Sequence, residues 1–304
     1  MSEVSFQLSL GLKAYAAMYR ARRFDETTIA LQRQGAVAGY ASARGQEAGQ
    51  CGVAASLGAT DMLFPSYRQP GAGLLMGVQP AELWRFHGRQ SYCPWDWKAR
   101  RFFAYCVPVG SQLAHAVGWA IARRRLGAKD VSVVFFGDGS SSQGEVHEAM
   151  NLAGVFNAPT VFVCENNGWA ISLPVAQQTA ASTLHARAFG YGFAGIRIDG
   201  NDEAAVRLAA EAAIAKARAG FGPTLLELVT FRLGGHTTSD NPGLYRDEIA
   251  AEQWAMRDPV PLHRRRMLAD AVCTEAILSD IEARTDAELR AGTEMYLKEI
   301  HIGE

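Results

Sequence analysis

The chain has 304 residues, 48% hydrophobic and 20% charged, enough apolar material for a large core in one domain or two small ones. With 30 Lys/Arg against 31 Asp/Glu the net charge is −1, which excludes the electrostatic footprint of a nucleic-acid or anionic-membrane binder. The five cysteines (51, 93, 106, 164, 273) form no CxxC pair or ligand spacing, no long apolar run occurs, and the start MSEVSFQ lacks a signal-peptide pattern. A cytoplasmic chain with free thiols is expected.

In chain order, residues 6–34 carry the pattern of a long amphipathic helix, with Leu10, Tyr15, Met18, Tyr19 and Ile29 among its apolar positions and Gly35 closing it. Arg44-Gly45-Gln46-Glu47-Ala48 opens a small-residue helix reaching Leu57, read as tight core packing. Asp61–Gln69 is a short apolar strand running into Pro65-Ser66-Tyr67-Arg68. Tyr67-Arg68 is either an ordinary surface pair or, after a strand end, a guanidinium fork and a hydroxyl for phosphate oxygens. A helix is predicted over Pro80–His87, with Pro80 at its first position. From Gly88 to Tyr105 no period persists, and the aromatic content predicts an ordered loop packed on a partner or over a site. In Cys106–Gly110, Pro108 argues against a central strand; the helix Ser111–Leu126 follows. The clusters Arg123–Arg125 and Arg264–Arg266 lie on helical patterns and are read as solvated faces.

Val131–Ser172 carries the most information. Val131–Phe136 reads as a buried parallel strand stopping at Gly137-Asp138-Gly139; Val146, Met150, Ala153 and Phe156 mark a helix; Thr160–Cys164 is a second buried strand ending at Glu165-Asn166-Asn167-Gly168. The unit is β-α-β, with two polar tips at the carboxyl ends of adjacent strands, the edge where open α/β sheets bind ligands. Asp138 offers a carboxylate, Asn167 an amide oxygen and the chain after it a carbonyl, a hard-oxygen set suited to Mg²⁺ on a phosphate group. The glycines allow close approach to a diphosphate, and the amides opening the next helix can donate to it. A dinucleotide fingerprint would need glycine where Ser142 stands.

Beyond this unit, Ser182–Gly190 is predicted helical, Ile196–Ile198 a strand, and Asn201 or Asp202 the cap of a helix reaching Ala219. Thr224–Thr230 is another buried strand, followed by the loop Phe231–Arg246, in which His236 is either idle in solvent or at the same sheet edge. Helices follow from Asp258, with Glu275–Ile300 covering the sheet or a partner. The alternation predicts one α/β domain over 1–304, a parallel sheet with helices on both faces, an N-terminal helix and a C-terminal helical tail.

GDG at 137–139 with NN at 166–167 resembles the thiamine-diphosphate signature, and the chain over residues 10–298 resembles alpha subunits of 2-oxo acid dehydrogenases of the pyruvate and branched-chain type. GQEA at 45–48, Tyr67-Arg68 and RxGGHTTSD from Arg232 match the same family; Gly88-Arg89-Gln90 and Lys98–Arg101 look most like its branched-chain type. The resemblance implies the thiamine-diphosphate-binding fold, with Asp138, Asn167 and the Trp169 backbone oxygen as Mg²⁺ ligands. It places Tyr67, Arg68, Gly139, Ser140 and His236 around the diphosphate. The Val107 and Val109 backbone would bind the aminopyrimidine, or that segment is a plain helix lead-in. His236 would assist acyl transfer, and Arg232 would approach the substrate carboxylate or order its loop. Thr237 and Thr238 fall where animal relatives are phosphorylated.

The implied activity is that of an oxidoreductase: decarboxylation of a 2-oxo acid, pyruvate or a branched-chain one, with acyl transfer to the lipoyl disulfide of an acyltransferase component. Single-chain thiamine enzymes carry two α/β domains, and this chain supplies only the diphosphate half. A beta subunit in an alpha2-beta2 heterotetramer is therefore expected to complete the site, with no nucleic-acid or membrane partner. Two departures stand out. No histidine lies between Arg89 and Arg101, where Ser91 and Pro94 occupy the matching places, and Glu165 stands where branched-chain relatives have an arginine before the NN pair. The alternatives are an acetoin dehydrogenase alpha subunit, a split transketolase N-terminal subunit, and a non-catalytic scaffold descended from such an enzyme. The last should have lost a metal ligand, and Asp138 and Asn167 are both intact.

Overall fold

A computed structural model describes residues 3–88 and 92–302; Arg89, Gln90 and Ser91 lie outside the described residues. The first elements are α1 (Glu3–Arg33), α2 (Glu47–Ala55), β1 (Met62–Phe64), α3 (Pro70–Leu75), α4 (Pro80–Gly88), α5 (Trp97–Arg100) and α6 (Gln112–Arg125). Next come β2 (Ser132–Gly137), α7 (Gly144–Val155), β3 (Thr160–Asn166), β4 (Trp169–Ala170), β5 (Leu173–Pro174), α8 (Val175–Gln178) and α9 (Arg187–Gly190). β6 (Ala194–Asp199), α10 (Glu203–Arg218), β7 (Thr224–Val229), α11 (Glu248–Ala255), α12 (Pro259–Ala269) and α13 (Glu275–Ile302) complete the chain.

Five strands form one sheet in the order β1-β2-β3-β7-β6, every pair parallel. Successive side chains of a strand face opposite sides, so the continuous apolar runs at β2 and β3 feed two cores. Val133, Phe135, Val161 and Val163 join a cluster with α10 and with Phe24 and Trp84. Val134, Phe136, Phe162 and Cys164 pack against α6 and α7. A third cluster, around Tyr15, Met18, Cys51 and Met267, joins α1 and α2 to the C-terminal helices. The expected α/β architecture, with helices on both faces, is present.

Some local expectations fail. Ser182–Gly190 is helical only over Arg187–Gly190, because the buried Glu227 carboxylate accepts the His185 amide at 2.9 Å and tertiary bonds replace helical ones. α11 was not anticipated; Asp247 caps it by accepting the Ile249 amide at 2.9 Å. Among the described residues of the aromatic stretch before Cys106, Trp95, Phe102 and Tyr105 are buried in this chain's own core, with the Trp95 and Tyr105 rings 5.3 Å apart.

Because all five strands run the same way, the segments leaving β1, β2, β3 and β7 emerge at one edge. That edge carries Tyr67-Arg68, Asp138, Asn167 and the loop to His236. Sequence reasoning needed this polarity and could only assume it.

Candidate active site

A cavity of about 240 Å³ opens at that edge, lined among others by Tyr67, Arg68, Val109, Asp138, Gly139, Ser140, Asn167, Trp169 and His236. Val107 and Arg232 do not line it. The Val107 side chain is 58% exposed and Val109 42%, beside a turn in which the Pro108 carbonyl accepts the Ser111 amide. Arg232 lies just behind the wall, 1% exposed.

The β2 tip is a tight 3₁₀ turn, Gly139–Ser142, so α7 begins at Gly144 and the turn, not the helix, lies against the cavity. A Cβ on Gly139 would lie 2.8 Å from the Ala170 Cβ, so the turn and β4 meet only because this residue has no side chain. Asp138 is buried, and burial pushes its carboxyl above the usual range, opposed by a long bond from Gln178 Nε2 at 3.2 Å. Asn167 is also buried; its amide donates to Gln46 Oε1 at 3.2 Å, and its Oδ1 accepts the Trp169 amide at 3.3 Å.

Beneath them lies Glu165, 2% exposed, one oxygen accepting Gln69 Nε2 at 2.6 Å and the other without a protein partner. Burial pushes its carboxyl up to about 7, against the pull of the Gln69 amide, while Gln46 also lines the cavity. These glutamines were not singled out for the site. Gln46 sits in the noted GQEA and Gln69 directly follows Arg68, but nothing in a sequence distinguishes a lining glutamine from a surface one.

Across the cavity Arg68 donates to the Ser42 carbonyl at 2.6 Å and to the His236 carbonyl at 2.9 Å. His236 Nδ1 lies 3.0 Å from Arg232 Nη1 and 3.2 Å from Arg68 Nη2. A guanidinium can only donate, so Nδ1 accepts and the ring proton belongs on Nε2. Burial, with Arg68 and then Arg232, lowers the His236 pKa to about 4 and keeps the ring neutral. Burial, then Arg68 and Arg246, lowers Arg232 to about 10. Asp240 accepts the His236 amide at 2.5 Å and also the Tyr245 hydroxyl, which folds the loop back on itself.

Glu47, of the same GQEA motif, stays out of the cavity. It joins Arg22 at 2.6 Å and accepts the Gly45 amide at 2.9 Å, while Arg22 forks onto Asp258 at 2.8 and 2.9 Å. This buried cluster ties α1, α2 and α12 together, in agreement with the packing reading.

The donor chemistry can be tested against a magnesium diphosphate. Among the described residues no cluster of three His, Cys, Asp or Glu side chains could hold a metal alone. A single buried carboxylate beside an amide oxygen suits instead an ion that completes its shell with phosphate oxygens. Among the described residues no cation bonds Asp138, and on the His236 side Arg68, Arg232 and Arg246 surround the Asp240 carboxylate. Cation on one wall and anion on the other would relieve both imbalances. The residues fit the pair.

Fold and site together define an α/β chain with a polar cavity at the carboxyl edge of a parallel sheet. Residues 15–295 match the family described as dehydrogenase E1 component, and the chain belongs to that family. It is 44% identical over 275 residues to the 3-methyl-2-oxobutanoate dehydrogenase subunit alpha of Mycobacterium tuberculosis, covering 89% of this chain and 74% of that one. It is 38% identical over 258 residues to the 2-oxoisovalerate dehydrogenase subunit alpha of Bacillus subtilis (81% and 78% covered). The human mitochondrial protein of the latter name is 36% identical over 265 residues, with 84% of this chain and 59% of that one covered.

Proposed function

We propose that this 2-oxo acid dehydrogenase alpha subunit binds thiamine diphosphate and Mg²⁺ at the β2–β3 edge and decarboxylates a branched-chain 2-oxo acid. The observation that carries it is the meeting, in one cavity, of Asp138 and Asn167 with Tyr67, Arg68 and His236 from separate strand ends. The relatives' names support the substrate class.

In this reading Asp138, Asn167 and the Trp169 carbonyl hold Mg²⁺, and Tyr67, Arg68, Gly139 and Ser140 surround the diphosphate. When bound, thiamine diphosphate supplies the electron sink for loss of carbon dioxide. The chain's own residues anchor and orient it. His236 presents a neutral ring with its proton on Nε2, able to donate a hydrogen bond to an acceptor at the cavity, and Arg232 fixes that tautomer from behind. Arg232 thereby favours loop ordering over direct contact with substrate.

The partner is a beta subunit, in an alpha2-beta2 assembly, and the acyl acceptor is a lipoyl group on the acyltransferase component. The exposed Val107 and Val109 at the rim support a site closed by another chain. The unpaired cysteines support a reducing compartment, the cytoplasm.

The test is thiamine-dependent turnover of the alpha–beta complex with 3-methyl-2-oxobutanoate, pyruvate and acetoin, using a dye acceptor. Branched-chain turnover should lead, alpha alone should be inactive, and Asp138→Ala should abolish Mg²⁺-dependent cofactor binding. Unchanged cofactor affinity in that variant would overturn the site; acetoin or pyruvate leading would overturn the substrate.

A further inference from the structure

Asp25 lies within α1, far along the chain from every residue named at the cavity, and is 1% exposed. Its Oδ1 accepts the Tyr40 hydroxyl at 2.8 Å and the Ala43 amide at 2.7 Å; its Oδ2 accepts the Ser42 hydroxyl at 2.8 Å. All three donors belong to one stretch, 40–43, which is in no helix or strand.

That stretch grips the site loops with its carbonyls. Tyr40 O accepts the Thr238 amide at 2.9 Å, Ser42 O accepts Arg68 Nη1 at 2.6 Å, and Arg44 O accepts the Leu233 amide at 3.0 Å. The three carbonyls come from alternate residues, 40, 42 and 44. Just beyond, a Cβ on Gly45, whose φ is +94°, would lie 2.4 Å from the Phe231 carbonyl oxygen, so the stretch and the His236 loop are in backbone contact. One face of 40–44 is thus held by Asp25, and its carbonyls hold Arg68 and both sides of His236.

A carboxylate is a costly way to fill a core position, and burial raises the Asp25 carboxyl above its usual range. Packing alone would be served by an apolar side chain. A group that accepts three donors at once sets the height and rotation of the stretch it binds, and an apolar residue cannot.

We propose that Asp25 is a positioning residue for Arg68 and the His236 loop, acting through residues 40–44. Its bearing on the cofactor rests on the function proposed above; its control of the loops does not.

The experiment has two arms, both on the chain with its beta subunit. In the first, amide hydrogen exchange is followed without cofactor. Asp25→Ala should speed exchange at Leu233 and Thr238 by about tenfold or more, the equivalent of one lost hydrogen bond of ordinary strength. Amides of β2 and β3 should be unchanged. Asp25→Asn, whose carbonyl keeps Tyr40 and Ala43 and whose amide can donate to Ser42 Oγ, should restore protection.

In the second arm, Asp25→Ala should raise the dissociation constant for thiamine diphosphate with Mg²⁺ about tenfold, while turnover at saturating cofactor stays within about twofold. Asp25→Asn should again restore the wild-type value. Ser42→Ala, which removes a single link and leaves α1 intact, should show the same local exchange signature and serves if Asp25→Ala does not fold.

Unchanged protection at Leu233 and Thr238, or a rise spread evenly over the chain, overturns the proposal. Failure of the wild-type complex to bind thiamine diphosphate overturns the cofactor reading instead, and the exchange arm still decides the role of Asp25.

Discussion

Arg232 Nη1 lies 3.0 Å from His236 Nδ1, and this contact decides what the histidine can do. A guanidinium keeps its protons, so the imidazole must be neutral and its proton must sit on Nε2.

Protonating His236 would therefore place a third positive charge beside Arg68 and Arg232. Its folded pKa of about 4 lies below the unfolded value near 6.5, so the unfolded chain takes up the proton first as pH falls. The stability associated with the neutral ring is complete above about pH 6.5 and is lost progressively toward pH 4. His236→Gln should flatten that limb of a Tm-against-pH curve. A ring-proton NMR titration centred at 6.5 or higher would contradict the arrangement, and Arg232→Met should move the midpoint upward.

Asp138 is predicted to trade stability for ligand binding. Burial raises its pKa, so at neutral pH the ionised carboxylate opposes folding of the cofactor-free protein. Asp138→Asn should raise the Tm of the cofactor-free complex. The same variant should lose the Tm increase that thiamine diphosphate with Mg²⁺ gives the wild type. A lower cofactor-free Tm would argue that the carboxylate is structural.

Gly139 and Gly144 provide a contrast within one turn of chain. At Gly139 a methyl group meets Ala170 at 2.8 Å, whereas at Gly144 nothing lies within 4 Å. Gly139→Ala should weaken cofactor binding about tenfold and lower the Tm, because β4 must move. Gly144→Ala, in the first turn of α7, should leave binding unchanged and add up to about 1 kcal/mol of stability. Equal behaviour of the two variants in calorimetry would refute the close approach.

Glu47 is predicted to affect stability without affecting chemistry. Removing it leaves Arg22 Nε and the Gly45 amide unsatisfied in a buried cluster, which should cost about 3–5 kcal/mol in urea unfolding of Glu47→Ala. Glu47→Gln keeps an acceptor and should cost less. Where either variant folds, turnover at saturating cofactor should match the wild type; a fall in turnover larger than about tenfold would return Glu47 to the active site.

The parts of the site legible in the sequence are those written locally. GDG after an apolar run and NN after the next need only strand, turn and spacing, and both tips reach the cavity where the β-α-β reading put them. Gly35 at a helix end and Asp258-Pro259 at a helix start are equally local. The aromatic stretch before Cys106 was legible as ordered, but hydrophobicity shows that a segment is covered, not that Trp95, Phe102 and Tyr105 are covered by this chain's own core. Ser182–Gly190 failed as a helix because Glu227, on a strand that follows later in the chain, claims the His185 amide.

By itself the sequence determined the parallel α/β class, the two strand-end tips, the hard-oxygen donors and the family, since each depends on neighbours along the chain. Only the tertiary structure decided which groups face one another. It set Arg232 behind His236 rather than at the cavity, placed Glu165 against the Gln69 amide, and joined Asp25 to Arg68 through Ser42. Those relationships run between segments brought together by the common direction of five strands. Hydrogen-bond direction and burial, which fix charge and tautomer, exist only once that packing is complete.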